Sequence, residues 1–174
     1  MPLWRREGFV DDLWTLVAGD DPAPDDGPIL VPLKRWLSGR SALETRTSQV
    51  GVAVEASGEA QDHLADLADR PLVALGFAKF ADGRAFSYAR LLRDRYGFKG
   101  ELRALGDVLI DEIPLMLRCG FDSFVVTNRA TIARLETGQL PGPVIHYQPG
   151  SDRDEVPVAS ASWRTARRGP GAEG

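Results

Sequence analysis

Short apolar runs and longer amphipathic stretches alternate along this chain. Pro28-Ile29-Leu30-Val31-Pro32, Val50-Gly51-Val52-Ala53-Val54, Leu72-Val73-Ala74-Leu75-Gly76-Phe77, Leu102-Arg103-Ala104-Leu105 and Ser123-Phe124-Val125-Val126 are strand-like runs bounded by turn residues. The third is almost wholly apolar, which predicts burial on both faces, the mark of a parallel strand covered by helices. The prolines around Ile29–Val31 predict a strand tip or edge.

Between these runs the spacing becomes helical. Ala85, Tyr88, Ala89, Leu92 and Tyr96 make one apolar stripe, with Arg84, Ser87, Arg90 and Asp94 on the other side, and Gly97 positioned as a left-handed C-cap. Helices are also predicted for Lys34–Leu43, weakened at Gly39, and for Ser57–Asp69, with Ser57 placed to cap it. Two more are predicted, from Val108 or Leu109 to Arg118, interrupted early by Pro114, and for Ala130–Leu135. The apolar residues among the first 17 predict a strand or hairpin on the domain edge, followed by a solvated Pro/Asp loop. Val144–Tyr147 reads as a last edge strand.

Leu72 to Val126 is therefore a β-α-β-α-β unit. It predicts a single α/β domain over residues 1–148, with a mostly parallel open sheet and helices on both faces. The charged, Pro/Gly/Ser/Ala-rich residues 149–174 are expected to form a disordered tail. The order of elements also fits a fragment of a barrel-like (β/α) arrangement. The length favours the open sheet, because a closed eightfold barrel needs roughly 250 residues.

Composition narrows the function classes. The net charge is −4 over 174 residues, which argues against a nucleic-acid binder. A lone cysteine, Cys119, cannot form an internal disulfide and suits a reducing, cytoplasmic setting. His63 and His146 share no motif with it, so no metal centre is expected. No apolar run approaches a membrane span, and no apolar segment follows Arg5-Arg6 to make a signal peptide. Glycine-rich nucleotide fingerprints and hydrolase or zinc motifs are missing, so no cofactor is expected.

Ligands of parallel sheets collect at the carboxyl ends of strands. The loop after Phe77 is the leading candidate, as a small-oxyanion site built from Lys79, Asp82, Gly83, Arg84 and Ser87, with Arg103 on the neighbouring strand. The plainer alternative makes Asp82 a helix N-cap, Gly83 a turn residue and Arg84 a surface ion-pair partner. Arg90 and Arg93 on one helix face form a candidate surface for an acidic partner; a solvated charged face is the alternative. Cys119 reads as a small buried hydrophobe rather than a redox group.

The stretch Phe77-Ala78-Lys79-Phe80-Ala81-Asp82-Gly83-Arg84-Ala85-Phe86-Ser87 resembles the bacterial "domain of unknown function 934" family. Gly100–Leu109 and Arg118–Asp122 carry the resemblance further, over residues 1–148. Members are labelled as oxidoreductases of sulfite reduction. The resemblance implies an accessory role in assimilatory sulfate and sulfite reduction beside sulfite reductase or adenylyl-sulfate reductase. An oxidoreductase or oxyanion-binding enzyme working through Lys79–Ser87 is the other reading. The family supplies no catalytic residues to carry over, and a homodimer is compatible with either reading.

Overall fold

A computed structural model describes residues 1–77, 83–138 and 140–141. The segment Val144–Tyr147 and the tail lie outside the described residues, as do Lys79, Asp82 and His146.

Eight strands form one sheet: β1 (Leu3–Arg5), β2 (Gly8–Val10), β3 (Thr15–Leu16), β4 (Ile29–Pro32), β5 (Val50–Glu55), β6 (Leu72–Phe77), β7 (Glu101–Gly106) and β8 (Ser123–Val125). Their order is β2-β1-β8-β7-β6-β5-β4-β3. From β3 to β8 every neighbour is parallel, and the N-terminal hairpin adds antiparallel to β8. The α/β class, the mostly parallel sheet and the edge hairpin are as expected.

The strand order corrects one expectation. The parallel strands follow one another in chain order, so the winding never reverses. Right-handed crossovers that always step the same way put every helix on one face. The packing agrees. Val31, Val52, Val73, Leu75, Leu102 and Phe124 share a core with helical Trp36, Leu64, Leu67, Tyr88, Leu92 and Met116. The opposite face holds Leu30, Leu72, Ala74, Ala53 and Leu105, covered by Trp14 and by no helical residue.

That second face is the inside of a rolled sheet. The sheet's two edges, β2 and β3, are joined by residues 11–14 alone. Laid flat, eight strands would put the edges roughly 34 Å apart. Four linking residues reach at most about 17 Å. The sheet must roll to close that gap, and the link then crosses the inner face as a strap. Small residues make room for it. A Cβ on Gly51 would stand 3.0 Å from the Trp14 ring and 2.9 Å from Leu72 Cβ. The barrel-like alternative thus describes the curvature, although no hydrogen bonds join β2 to β3.

Local chemistry sets the helices. In α1 (Leu33–Glu44) Gly39 departs from helical geometry, the weakness its sequence position predicts, while Trp36 is fully buried. The segment Glu59–Leu67 is a 3-10 helix, not an α-helix, and Ser57 caps it through no side-chain bond. Instead the Ser57 carbonyl accepts the Ala60 N–H at 3.1 Å and the Tyr88 hydroxyl. α2 (Arg84–Arg90) runs on into a π turn, Leu91–Arg95, ended by Gly97 at φ 65°. Pro114 lies in the first turn of α3 (Ile113–Arg118), where its missing N–H costs nothing, so it starts this helix rather than interrupting it. α4 (Arg129–Glu136) is capped by the Asn128 side chain.

Candidate functional site

All six parallel strands point their carboxyl ends to the same rim of the rolled sheet, and a cleft of about 840 Å³ opens there. This is the rim at which (β/α) folds hold their ligands. The volume falls in the range of small-molecule sites. Ala53, Gly76, Leu105 and Gly106 form the floor, and Leu16, Pro32, Leu33, Leu37, Val54 and Phe77 supply apolar wall. Polar groups are few: Lys34 at the start of α1, Glu55 at the end of β5, then Ser57, Glu59 and His63.

The sequence explains why the cleft exists. Alternation along β5 and β6 sends Val52, Val54, Val73 and Leu75 to the helical core. It leaves small Ala53 and Gly76 facing inward. Gly106 has φ 102°, and any Cβ there would collide with the Phe77 carbonyl, so a close approach of β6 and β7 requires glycine. The Asp107 N–H then reaches that carbonyl at 3.3 Å.

Of the predicted site residues, Gly83, Arg84 and Ser87 stay together at the start of α2, Arg103 lies apart from them, and Lys79 and Asp82 are outside the described residues. Gly83 is the N-cap of α2 and makes no side-chain cap; the Asp82 proposed as a cap lies outside the described residues. Arg84 donates to the Ala56 carbonyl at 3.4 Å, which sets its guanidinium against the Glu55–Ser57 rim of the cleft. Ser87 is exposed one turn on. Arg103 is elsewhere. Its side chain is buried on the inner face, where it holds Asp12 through both carboxylate oxygens at 2.9 Å and Glu101 at 2.9 and 3.1 Å. Glu101 also accepts from Ser123 at 2.5 Å and from Arg5 at 2.6 Å. The donors of Arg103 are thus spent on pinning the strap to β7, not on an external anion.

Arg93 likewise leaves the candidate partner surface. Its side chain is 5% exposed and donates to Asp122 at 2.5 Å and to the carbonyls of Gly120, Phe98 and Gly100. Asp122 in turn accepts the Leu102 N–H at 2.7 Å. This is a structural knot joining the π turn to β7 and β8. Arg90 is exposed, 3.5 Å from Asp94 one turn away.

Cys119 is buried at the end of α3, and burial pushes its thiol above the ordinary value, against the pull of Arg90 and Arg118. Its thiolate is therefore disfavoured. Burial also raises the Glu112 carboxyl, and the charges of Asp111 and Asp107 add to this, while a hydrogen bond with the Leu109 backbone opposes it. His63 lies 3.8 Å from Asp66. Among the described residues no cluster of three or more His, Cys, Asp or Glu side chains could hold a metal ion. No helix there is long and apolar enough to cross a membrane.

The family model described as "bacterial protein of unknown function (DUF934)" matches residues 51–158. The chain belongs to this family. No curated protein matches it, and no solved structure does. The DUF934 match starts later than the resemblance over residues 1–148 implies, and it runs ten residues beyond. It takes in β5 to β8, and with them most of the cleft floor, Glu55, Ser57 and Arg84. Lys34, the strap and the edge hairpin lie before it.

Lys34, Glu55 and Glu59 were not among the residues nominated from sequence. The signal was available, because each follows the carboxyl end of an apolar run, as Lys79 does. What was missing was the sequential strand order, which brings the ends of β4 and β5 to one rim.

Proposed function

We propose that this protein is a cytoplasmic accessory protein of assimilatory sulfate and sulfite reduction, working beside sulfite reductase and holding a small ligand in the rim cleft. Membership of DUF934, together with the sulfite-reduction label that goes with the resemblance, supports the pathway. The cleft of about 840 Å³ at the carboxyl ends of the strands is the observation that carries the ligand-binding half. The oxidoreductase label would need an electron-carrying group. Cys119, the lone cysteine, is buried with a disfavoured thiolate, which speaks for an accessory role over direct thiol chemistry.

The full chain, tagged and expressed in sulfate-grown cells of its source, provides the test. Sulfite reductase subunits should be enriched over a tag-only control. Recovery of the protein without that enzyme contradicts the accessory role.

A further inference from the structure

Two opposite charges stand on the cleft without meeting. Pro32 of β4 is in register with Ala53 of β5. Lys34, in the first turn of α1, and Glu55, the last residue of β5, therefore follow neighbouring strands at the same rim. Both line the cleft, with Glu59 beside them. Among the described residues none of the three has an ion-pair partner within 4.0 Å, although Arg40, Arg70, Arg90, Arg93 and Arg103 each have one. Lys34 also sits where a cation is unfavourable for its own helix. It is in the first turn of α1, a turn without an acidic residue, against the positive end of the helix dipole. Helix stability does not explain that lysine.

We propose that the cleft takes a zwitterionic organic molecule of the α-amino-acid class with an apolar side chain. Lys34 would hold the carboxylate, Glu55 and Glu59 the ammonium, and the apolar part would lie on Ala53 and Gly76 against Leu37 and Phe77. Charge matching favours this class over a bare oxyanion, which would leave two glutamates facing a negative ligand. The apolar floor disfavours a fully polar ligand, which would lose hydration there without gaining partners.

This deepens the ligand-binding half of the reading above and is independent of the pathway. Calorimetric titration of the full chain tests it with L-leucine, L-methionine and L-phenylalanine, each beside its N-acetyl derivative and its amide. At least one free amino acid should bind one to one, and removing either charge should weaken it about tenfold or more. Lys34→Gln should erase the preference for the carboxylate over the amide, while Lys99→Gln, an exposed lysine outside the cleft lining, should leave binding unchanged. Circular dichroism checks that each variant is folded. Absence of binding by all three amino acids, equal binding of the blocked forms, or wild-type affinity in Lys34→Gln overturns the proposal. Binding by a protein that never captures sulfite reductase overturns the pathway and leaves the site.

Discussion

At the scale of single residues, buried charge decides most of what this molecule can do. Arg103 is 1% exposed, so its charge survives inside only because Asp12 and Glu101 meet it at hydrogen-bonding distance. Replacing Asp12 with Ala removes two charge-assisted bonds and leaves Glu101 to hold the guanidinium. It should cost about 2 kcal/mol in urea unfolding. A loss below a few tenths would mean that the strap is held otherwise. Cys119 gives a second residue-level expectation. Its folded-state pKa is raised, chiefly by burial, so its thiolate fraction at neutral pH is below that of an exposed thiol. A disulfide reagent should react slowly with the folded protein and rapidly once it is unfolded, the folded rate still climbing above the pH at which a free thiol levels off. Equal rates in the two states would contradict the burial. Arginines were the hardest residues to place from sequence. Arg84, Arg90, Arg93 and Arg103 look alike in one dimension. Only packing shows that Arg93 and Arg103 are internal cross-links while Arg84 and Arg90 are exposed.

At the scale of elements, glycine and proline set where the chain can bend. Gly106 holds a left-handed φ beside the Phe77 carbonyl at the floor of the cleft. Gly106→Ala should destabilise the fold by about 2 kcal/mol, from backbone strain and the clash together. Thermal unfolding measures it, and an unchanged midpoint would show that β6 and β7 tolerate a wider spacing. The parallel strands were legible in their apolar runs because burial on both faces leaves no polar alternation to confuse them. The Gly97 cap and the weakness at Gly39 were legible too, since each rests on local backbone chemistry. The 3-10 character of Glu59–Leu67 was not, because apolar residues three apart, such as Leu64 and Leu67, fit both periods. Two-residue β3 was also missed; Thr15–Leu16 is too short to show a period of its own.

At the scale of the whole molecule, one topological fact organises the site. The six parallel strands, laid down in strict sequence, put the described helices on the outer face and their own carboxyl ends at one rim. A four-residue strap closes the inner face, and the rim is left open as the cleft. The alternation pattern was compatible with both an open doubly wound sheet and a barrel-like roll, because either buries both faces of a central strand. Length favoured the former, and the tie was broken by long-range facts that no local window contains: the register of β1 on β8 and the contact of Asp12 with Arg103. The carboxyl end of β6, which precedes the loop nominated from sequence, does border the cleft, but the cleft's charges follow the ends of β4 and β5. The proposed role in sulfur assimilation is tested by growth of a deletion strain of the source organism. The strain should fail on sulfate or sulfite as sole sulfur source and recover on sulfide. Growth on sulfate at the parental rate, or a failure that sulfide does not relieve, would contradict it.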